Sequence, residues 1–177
     1  MQIQISLGEQ ALARFGNQIG ALGEGGTKIA FARAVNHTGA KARTQVVRAL
    51  TKQTGLRRAV IVRAVEERKA VQRGTLAQAA CHSLTTRGGD IALKYFRPVE
   101  FRRGVRARPF GRATMFPGKF TRGGLFPNRK ALRMGGHVFE NVEAPTWGGR
   151  IEVVDSGVVI PEQMVTGETA AAWRRVI

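Results

Sequence analysis

Three patterns predict an α+β fold for this chain of 177 residues. Helical periodicity fills the amino-terminal part, short alternating stretches broken by glycine fill the middle, and a helix begun by proline closes the carboxy-terminal end. Helices and strands grouped along the chain, instead of alternating, favour α+β over α/β. The expected architecture is N-terminal helices on a small antiparallel sheet, a long basic loop and a short C-terminal helix. The length suits a single domain over residues 1–177 that buries its core without disulfide or metal staples. The hydrophobic fraction of 43% is that of a globular chain.

Leu7, Ala11, Phe15 and Ile19 stand four apart and predict a short helix over residues 7–22, which Gly23-Glu24-Gly25-Gly26 interrupts. A longer helix follows from about Thr27, a candidate N-cap, to Lys52. At about 100° per residue, Phe31, Val35, Gly39, Ala42, Val46, Ala49 and Leu50 fall within a stripe about 100° wide. Arg33, Lys41, Arg48 and Lys52 fall opposite, so this helix should bury one face and offer a basic one. Gly55 suits the helix C-terminus, and Thr54 suits capping of the next turn. A second helix is expected over 56–67, with Leu56, Val60 and Ala64 on one side. Residues 75–84 and 91–101 then alternate as strands do, with a turn signal at 86–90. Residues 103–112 alternate arginine with small or apolar residues, as expected for a strand with one arginine-lined face or for an extended arm. Residues 117–135, with Pro117, Pro127 and four glycines, read as a long loop. Residues 135–142 and 148–155 each present a strand after a glycine pair, with Trp147-Gly148-Gly149 turning between them. Pro161 starts the last helix, which places Val165, Thr169 and Trp173 on one face.

Charge separates the chain into regions. Lys plus Arg is 29 against 12 Asp plus Glu, a net of +17. From Lys41 to Arg133 there are 23 basic and 4 acidic residues, while the remainder holds 6 and 8. A basic middle between near-neutral ends points to a directed surface for a polyanion or an assembly partner, against the blander reading of a solvated face. Phosphate neutralisation makes nucleic acid the first polyanion to consider. No apolar run nears the roughly 20 residues that span a bilayer. The first 15 residues lack the basic-then-apolar order of a secretory signal. The one cysteine, Cys81, excludes an intrachain disulfide and suggests synthesis in the cytoplasm.

Tests for catalytic chemistry return little. Gly118-Lys119 is followed by Phe120, and position 113 is alanine, so no phosphate loop of the GxxxxGK[ST] kind is present. His37, His82 and His137 are scattered and lack zinc-motif spacing. Cys81 and His82 are adjacent, which in a strand sends them to opposite faces. Glu66-Glu67 and Glu140/Glu143 suit solvated or arginine-paired acids better than a catalytic dyad. No catalytic, cofactor-binding or metal-ligating residues are expected. Residues 41–60 imitate a helix-turn-helix only weakly, because the second helix lacks amide side chains for base readout.

From residue 28 onward the chain resembles the prophage minor tail protein Z family, tail completion proteins of long-tailed bacteriophages. The resemblance lies in a helix of the "ALNRTA…AR" type at Phe31 to Arg43, followed by a Thr-Gly step into a helix at Thr54 to Val62. It continues in "RRGVRARPFGR…MFPGKFTRGG", "GGHVFENV" and "IEVVDSGVVIPEQM", and covers about residues 28–165. Two departures stand out. Glu140-Asn141 occupies a place where the pattern has arginine, and Ser156-Gly157-Val158 lacks its usual proline.

The resemblance implies a non-enzymatic virion protein at the head-proximal end of a tail, made in the host cytoplasm and assembled as a ring, expected to be hexameric. Its implied neighbours are tail-tube, tail-terminator or neck proteins, with DNA in the lumen as a further contact and no membrane. On that basis Arg97, Arg102, Arg103, Arg106, Arg108 and Arg112 should line a polyanion- or partner-facing surface. Phe116, Lys119, Phe120, Arg122 and Phe126, in an extended loop over 116–135, should dock on a neighbouring subunit. The competing expectations are core packing for the phenylalanines and, for the protein as a whole, sequence-independent binding of DNA or RNA.

Overall fold

A computed structural model describes residues 2–6, 23–72, 76–125, 127–142 and 150–175. The helix expected over 7–22 lies outside these residues, as do Phe126 and the Trp147 turn. The fold is α+β.

Its spine is α1 (Gly23–Thr54). Phe31, Val35, Ala42, Val46 and Leu50 are buried on one face, while Arg33, Lys41, Arg48 and Lys52 are exposed on the other, as the periodicity predicts. The helix starts four residues earlier than expected. Gly23 to Gly26 are helical, and Thr27 is a buried interior residue, not a cap. Glycine costs about 1 kcal/mol per helical position. Extending a helix that is already nucleated adds a hydrogen bond per residue, and that gain wins here. The other end behaves as expected. Gly55 takes φ 76° and donates its amide to Thr51 O at 3.1 Å. The Thr54 hydroxyl donates to Leu50 O at 2.6 Å and accepts from the Leu56 amide at 3.3 Å.

The second helix is shorter than expected. After α2 (Arg58–Ala64) the chain turns directly into β2 (Val65–Arg68). Val65 is buried while Glu66 and Arg68 are exposed, so period-two burial and pairing with β3 override helical propensity. β1 (Gln2–Ser6), β2 and β3 (Cys81–Thr86) form an antiparallel sheet in the order β1-β3-β2. Only the second half of the strand expected at 75–84 is β, because α3 (Leu76–Ala79) occupies the first half. His82 is fully buried in β3 against Gly39, where a Cβ would lie 2.4 Å from the imidazole ring. Its Nδ1 lies 3.1 Å from Asn36 Oδ1, an amide oxygen that also accepts from the Ala70 amide. Nδ1 therefore donates. Burial first, then Lys69 and Arg43, push its pKa below the ordinary value, with Glu67 opposing.

The strand expected over 91–101 is interrupted. β4 (Asp90–Ala92) leads into a 3₁₀ turn (Leu93–Phe96), followed by β5 (Val99–Phe101). Leu93 and Phe96 are both buried. With three residues per turn the 3₁₀ turn puts both on one side, which a strand cannot do. β4 pairs with β12 (Asp155–Val159) and not with β3, so the turn at 87–89 passes between sheets. The Asp90 carboxylate accepts from the amides of Ser156 and Gly157 at 3.2 and 2.8 Å and holds that pairing. The two expected late strands appear as β10 (Phe139–Asn141) and β11 (Ile151–Val153), paired antiparallel.

The single C-terminal helix expected from the sequence is instead a pair, α4 (Ile160–Val165) and α5 (Gly167–Arg174), separated by an extended Thr166. Gln53 of α1 explains the break. Its amide donates to Gln163 Oε1 at 2.7 Å, and its carbonyl accepts from the Thr169 amide and hydroxyl at 3.2 and 3.0 Å. A side chain from α1 thus serves as the missing N-terminal cap of α5. The main core joins Val46, Val47 and Leu50 of α1 to Ile61, Leu84, Phe96, Val105, Val158 and Met164.

Candidate partner-docking face

The arginine-rich segment builds a second antiparallel sheet from β5, β6 (Gly104–Ala107) and β7 (Thr114–Pro117), in that order. Arg102 and Arg103 form the β5–β6 turn. Gly104 follows with φ 145°, and a Cβ there would lie 2.2 Å from Phe116 O. Only glycine allows β7 to close on β6 at that point.

Register decides which side chain faces where. Val99, Arg106 and Met115 are cross-strand neighbours, and so are Glu100, Val105 and Phe116. The second row faces inward. Val105 is fully buried and Phe116 packs against the core. The first row faces out. Val99 is 50% exposed, Met115 45%, Phe101 38%, and Phe110 in the β6–β7 connection 42%. Arg106 lies over the Phe101 ring, 4.8 Å from its centroid.

The six arginines expected to share a surface are gathered on and around this sheet. Arg106 stands on its outer face, Arg102 and Arg103 at its tip, Arg97 before β5, and Arg108 and Arg112 flank the β6–β7 connection. All six are exposed, and none is in an ion pair among the described residues. Arg97 and Phe110 have φ of 54° and 53°, alone among described non-glycine residues in the left-handed region. Such conformations cost about 1 kcal/mol or more each. Both occur where the chain enters or leaves a strand of this face.

The one acid of the segment, Glu100, turns inward. Its carboxylate is 9% exposed, accepts from the Thr121 amide and hydroxyl at 3.0 and 2.7 Å, and pairs with the Arg129 guanidinium. Burial pushes the carboxyl up. The Thr121 hydroxyl, the Arg129 guanidinium and the Thr121 amide outweigh that and hold it below its ordinary value.

These contacts change the reading of the loop. The segment expected to extend as an arm over 116–135 is folded back as a strap. Phe116 belongs to β7, and Phe120 exchanges backbone hydrogen bonds with Phe139 at 3.0 and 2.8 Å. β8 (Arg122–Gly123) pairs with β9 (Lys130–Ala131), and Lys119 pairs with Glu140. Glycine and proline content signalled irregular backbone, but the anchor is Glu100, distant in sequence. Of the five expected docking residues, Phe116, Lys119 and Phe120 contact their own chain, Arg122 is exposed, and Phe126 lies outside the described residues. Beside that position Leu125 is 73% exposed. The apolar members of the outer face, Val99, Phe101 and Met115, were not among the expected site residues. Alternation with Glu100 and Arg106 was the signal for them.

Among the described residues no helix is long and apolar enough to cross a membrane, and no three His, Cys, Asp or Glu side chains converge as a metal site. Comparison with protein-family models, with curated proteins and with solved structures finds no match in any of the three.

Proposed function

We propose that the chain is a non-enzymatic structural subunit that completes the head-proximal end of a phage tail and takes part in joining it to the head. The observation that carries this reading is the outer face of the β5–β7 sheet. Six exposed arginines on and around the sheet, in no ion pair among the described residues, and three exposed apolar side chains on its outer face suit an assembly surface. The motif resemblance to the prophage minor tail protein Z family supplies the setting, with ring formation and neighbouring tail-tube, terminator or neck proteins as its corollaries. The test is electron microscopy of purified particles together with a gene knockout. Density for the chain at the head–tail junction, and unjoined heads and tails without the gene, are expected. Particles that lack such density overturn the reading.

The net charge of +17 also favours a second reading, sequence-independent binding of DNA or RNA. Salt-titrated binding of duplex DNA to the purified chain separates the two. A monomer whose tight binding collapses with salt supports the second.

A further inference from the structure

We propose that the outer face of the β5–β7 sheet docks an acidic protein surface that also presents apolar side chains, and that neither nucleic acid nor a second copy of this chain is its occupant. This rests on reading that face as the chain's assembly surface.

The first argument is the supply of countercharge. Six exposed arginines gathered on and around one sheet favour a partner that supplies carboxylates or phosphates. Of the nine acids whose side chains are described, six are engaged. Glu67 lies against Arg43 and His82, Glu100 against Arg129, Glu140 against Lys119, and Glu168 against Lys52. Asp90 is held by the amides of β12, and Glu152 by Arg150. The other described acids are Glu24 at the start of α1, and Glu66, Asp155 and Glu162 on β2, β12 and α4. Among the described residues these four stand on four separate elements, so a second copy offers no acidic row to match the arginines. The partner must carry its own.

The second argument separates protein from nucleic acid. Phosphate backbones are held by cations and hydrogen-bond donors, and they leave exposed apolar rows wet. Here Val99 and Met115 flank Arg106 in one cross-strand row, with Phe101 beside them. Single strands stack their bases on open aromatic faces. Val99 and Met115 have no such face, Arg106 covers one side of the Phe101 ring, and Phe110 is a single open ring, short of the succession of faces that stacks a strand of bases. Arginine, methionine and phenylalanine set together match the enriched composition of protein interfaces.

The test uses the purified full chain and two probes of equal charge, a synthetic peptide alternating glutamate with valine and a single-stranded oligonucleotide. Affinities are measured at about 0.1 M and about 0.5 M salt. Oligonucleotide held by six cations should weaken about a thousandfold across that range. Peptide binding should fall far less and should remain measurable at the higher salt. Val99→Ser with Met115→Ser should weaken peptide binding about tenfold or more and leave oligonucleotide binding unchanged. Amide exchange on the unaltered chain, which needs no variant to fold, should show peptide protection over residues 99–117. Failure of the peptide to bind, oligonucleotide binding that stays tighter than peptide binding at the higher salt, an inert double variant, or protection confined elsewhere would each overturn the inference. Particle assembly plays no part in these measurements. A chain found at the head–tail junction whose face prefers oligonucleotide sinks this inference alone, and one absent from particles but peptide-binding sinks the phage setting alone.

Discussion

The two faces of the β5–β7 sheet come from the same few residues and behave as opposites. Inside, Glu100 is surrounded by Thr121 and Arg129, and Val105 is sealed in the core. Outside, Arg106 shares its row with Val99 and Met115 and meets no carboxylate among the described residues. Helix α1 follows the inner pattern. Its polar side chains work for the fold, with Gln53 capping a distant helix and Asn36 holding His82 and the Ala70 backbone. A polar group that finds a partner in its own chain contributes to stability. One that does not is available to another molecule. Substitutions should therefore sort into two kinds, those read in melting temperature and those read in binding.

The largest effect on stability should come from the inner face. Glu100→Ala removes three hydrogen bonds to a largely buried carboxylate and leaves Arg129 unpaired. The expected cost is about 2–3 kcal/mol, at the lower end for a charged network because Arg129 is partly open to water. That is a fall of roughly 5–10 °C in Tm for a chain of this size. Amide exchange should quicken at Phe120 and Thr121 before it quickens in α1, because the strap is released first. Acid should imitate the substitution. The Glu100 carboxyl titrates below its ordinary value of 4.5, so the unfolded chain takes up the proton first as the pH falls. The contribution is complete above about pH 4.5 and is lost as the pH drops from there through the folded value. Early exchange in α1 with an intact strap would show that Glu100 is no latch.

Gly39→Ala probes the helix. In an exposed helix interior this exchange gains about 1 kcal/mol. Here the new Cβ would lie 2.4 Å from the ring of His82, which is fully buried. Overpacking should reverse the sign, for a net loss of about 1–3 kcal/mol. With His82→Ala already present, Gly39→Ala should become neutral or stabilising, and a double-mutant cycle by denaturant melts checks this. Additive effects would mean that the ring can move aside. Gln53→Ala should cost somewhat less, about 1–2 kcal/mol, by leaving the start of α5 uncapped, with faster exchange confined to residues 167–174.

Much of this division was legible in the sequence. The stripe on α1, the Gly55 stop and the two late strands follow from period and punctuation, which are local. The arginine cluster was visible as charge, and alternation gave it a face. What could not be read was whatever depends on pairing at a distance. The break at Thr166 depends on Gln53, the 3₁₀ turn on the need to bury Leu93 and Phe96 together, and the strap on Glu100. Glu100 looked like a stray acid in a basic run because its partners, Thr121 and Arg129, lie 21 and 29 residues away. The contacts that Phe116 and Phe120 make within their own chain were hidden for the same reason, since aromatic character does not say whether a side chain anchors a neighbour or its own strap.

The smallest effect on stability is the sharpest test of the comparison. Arg106→Ala removes an exposed cation over Phe101 and no ion pair among the described residues, so it should cost about 0.5 kcal/mol or less. Adding Arg102→Ala and Arg103→Ala at the tip should leave the melt unchanged, or raise it slightly by relieving like-charge repulsion. The same triple variant should lose most of its affinity for an acidic probe and slow its association at low salt. Lys119→Ala removes one positive charge, as Arg106→Ala alone does, but also removes a contact with Glu140 that holds the strap. It should lower the melt more than the triple variant does while affecting the probe less. If the triple variant instead unfolds the chain as Glu100→Ala does, the outer arginines are structural after all, and the distinction between the two faces fails.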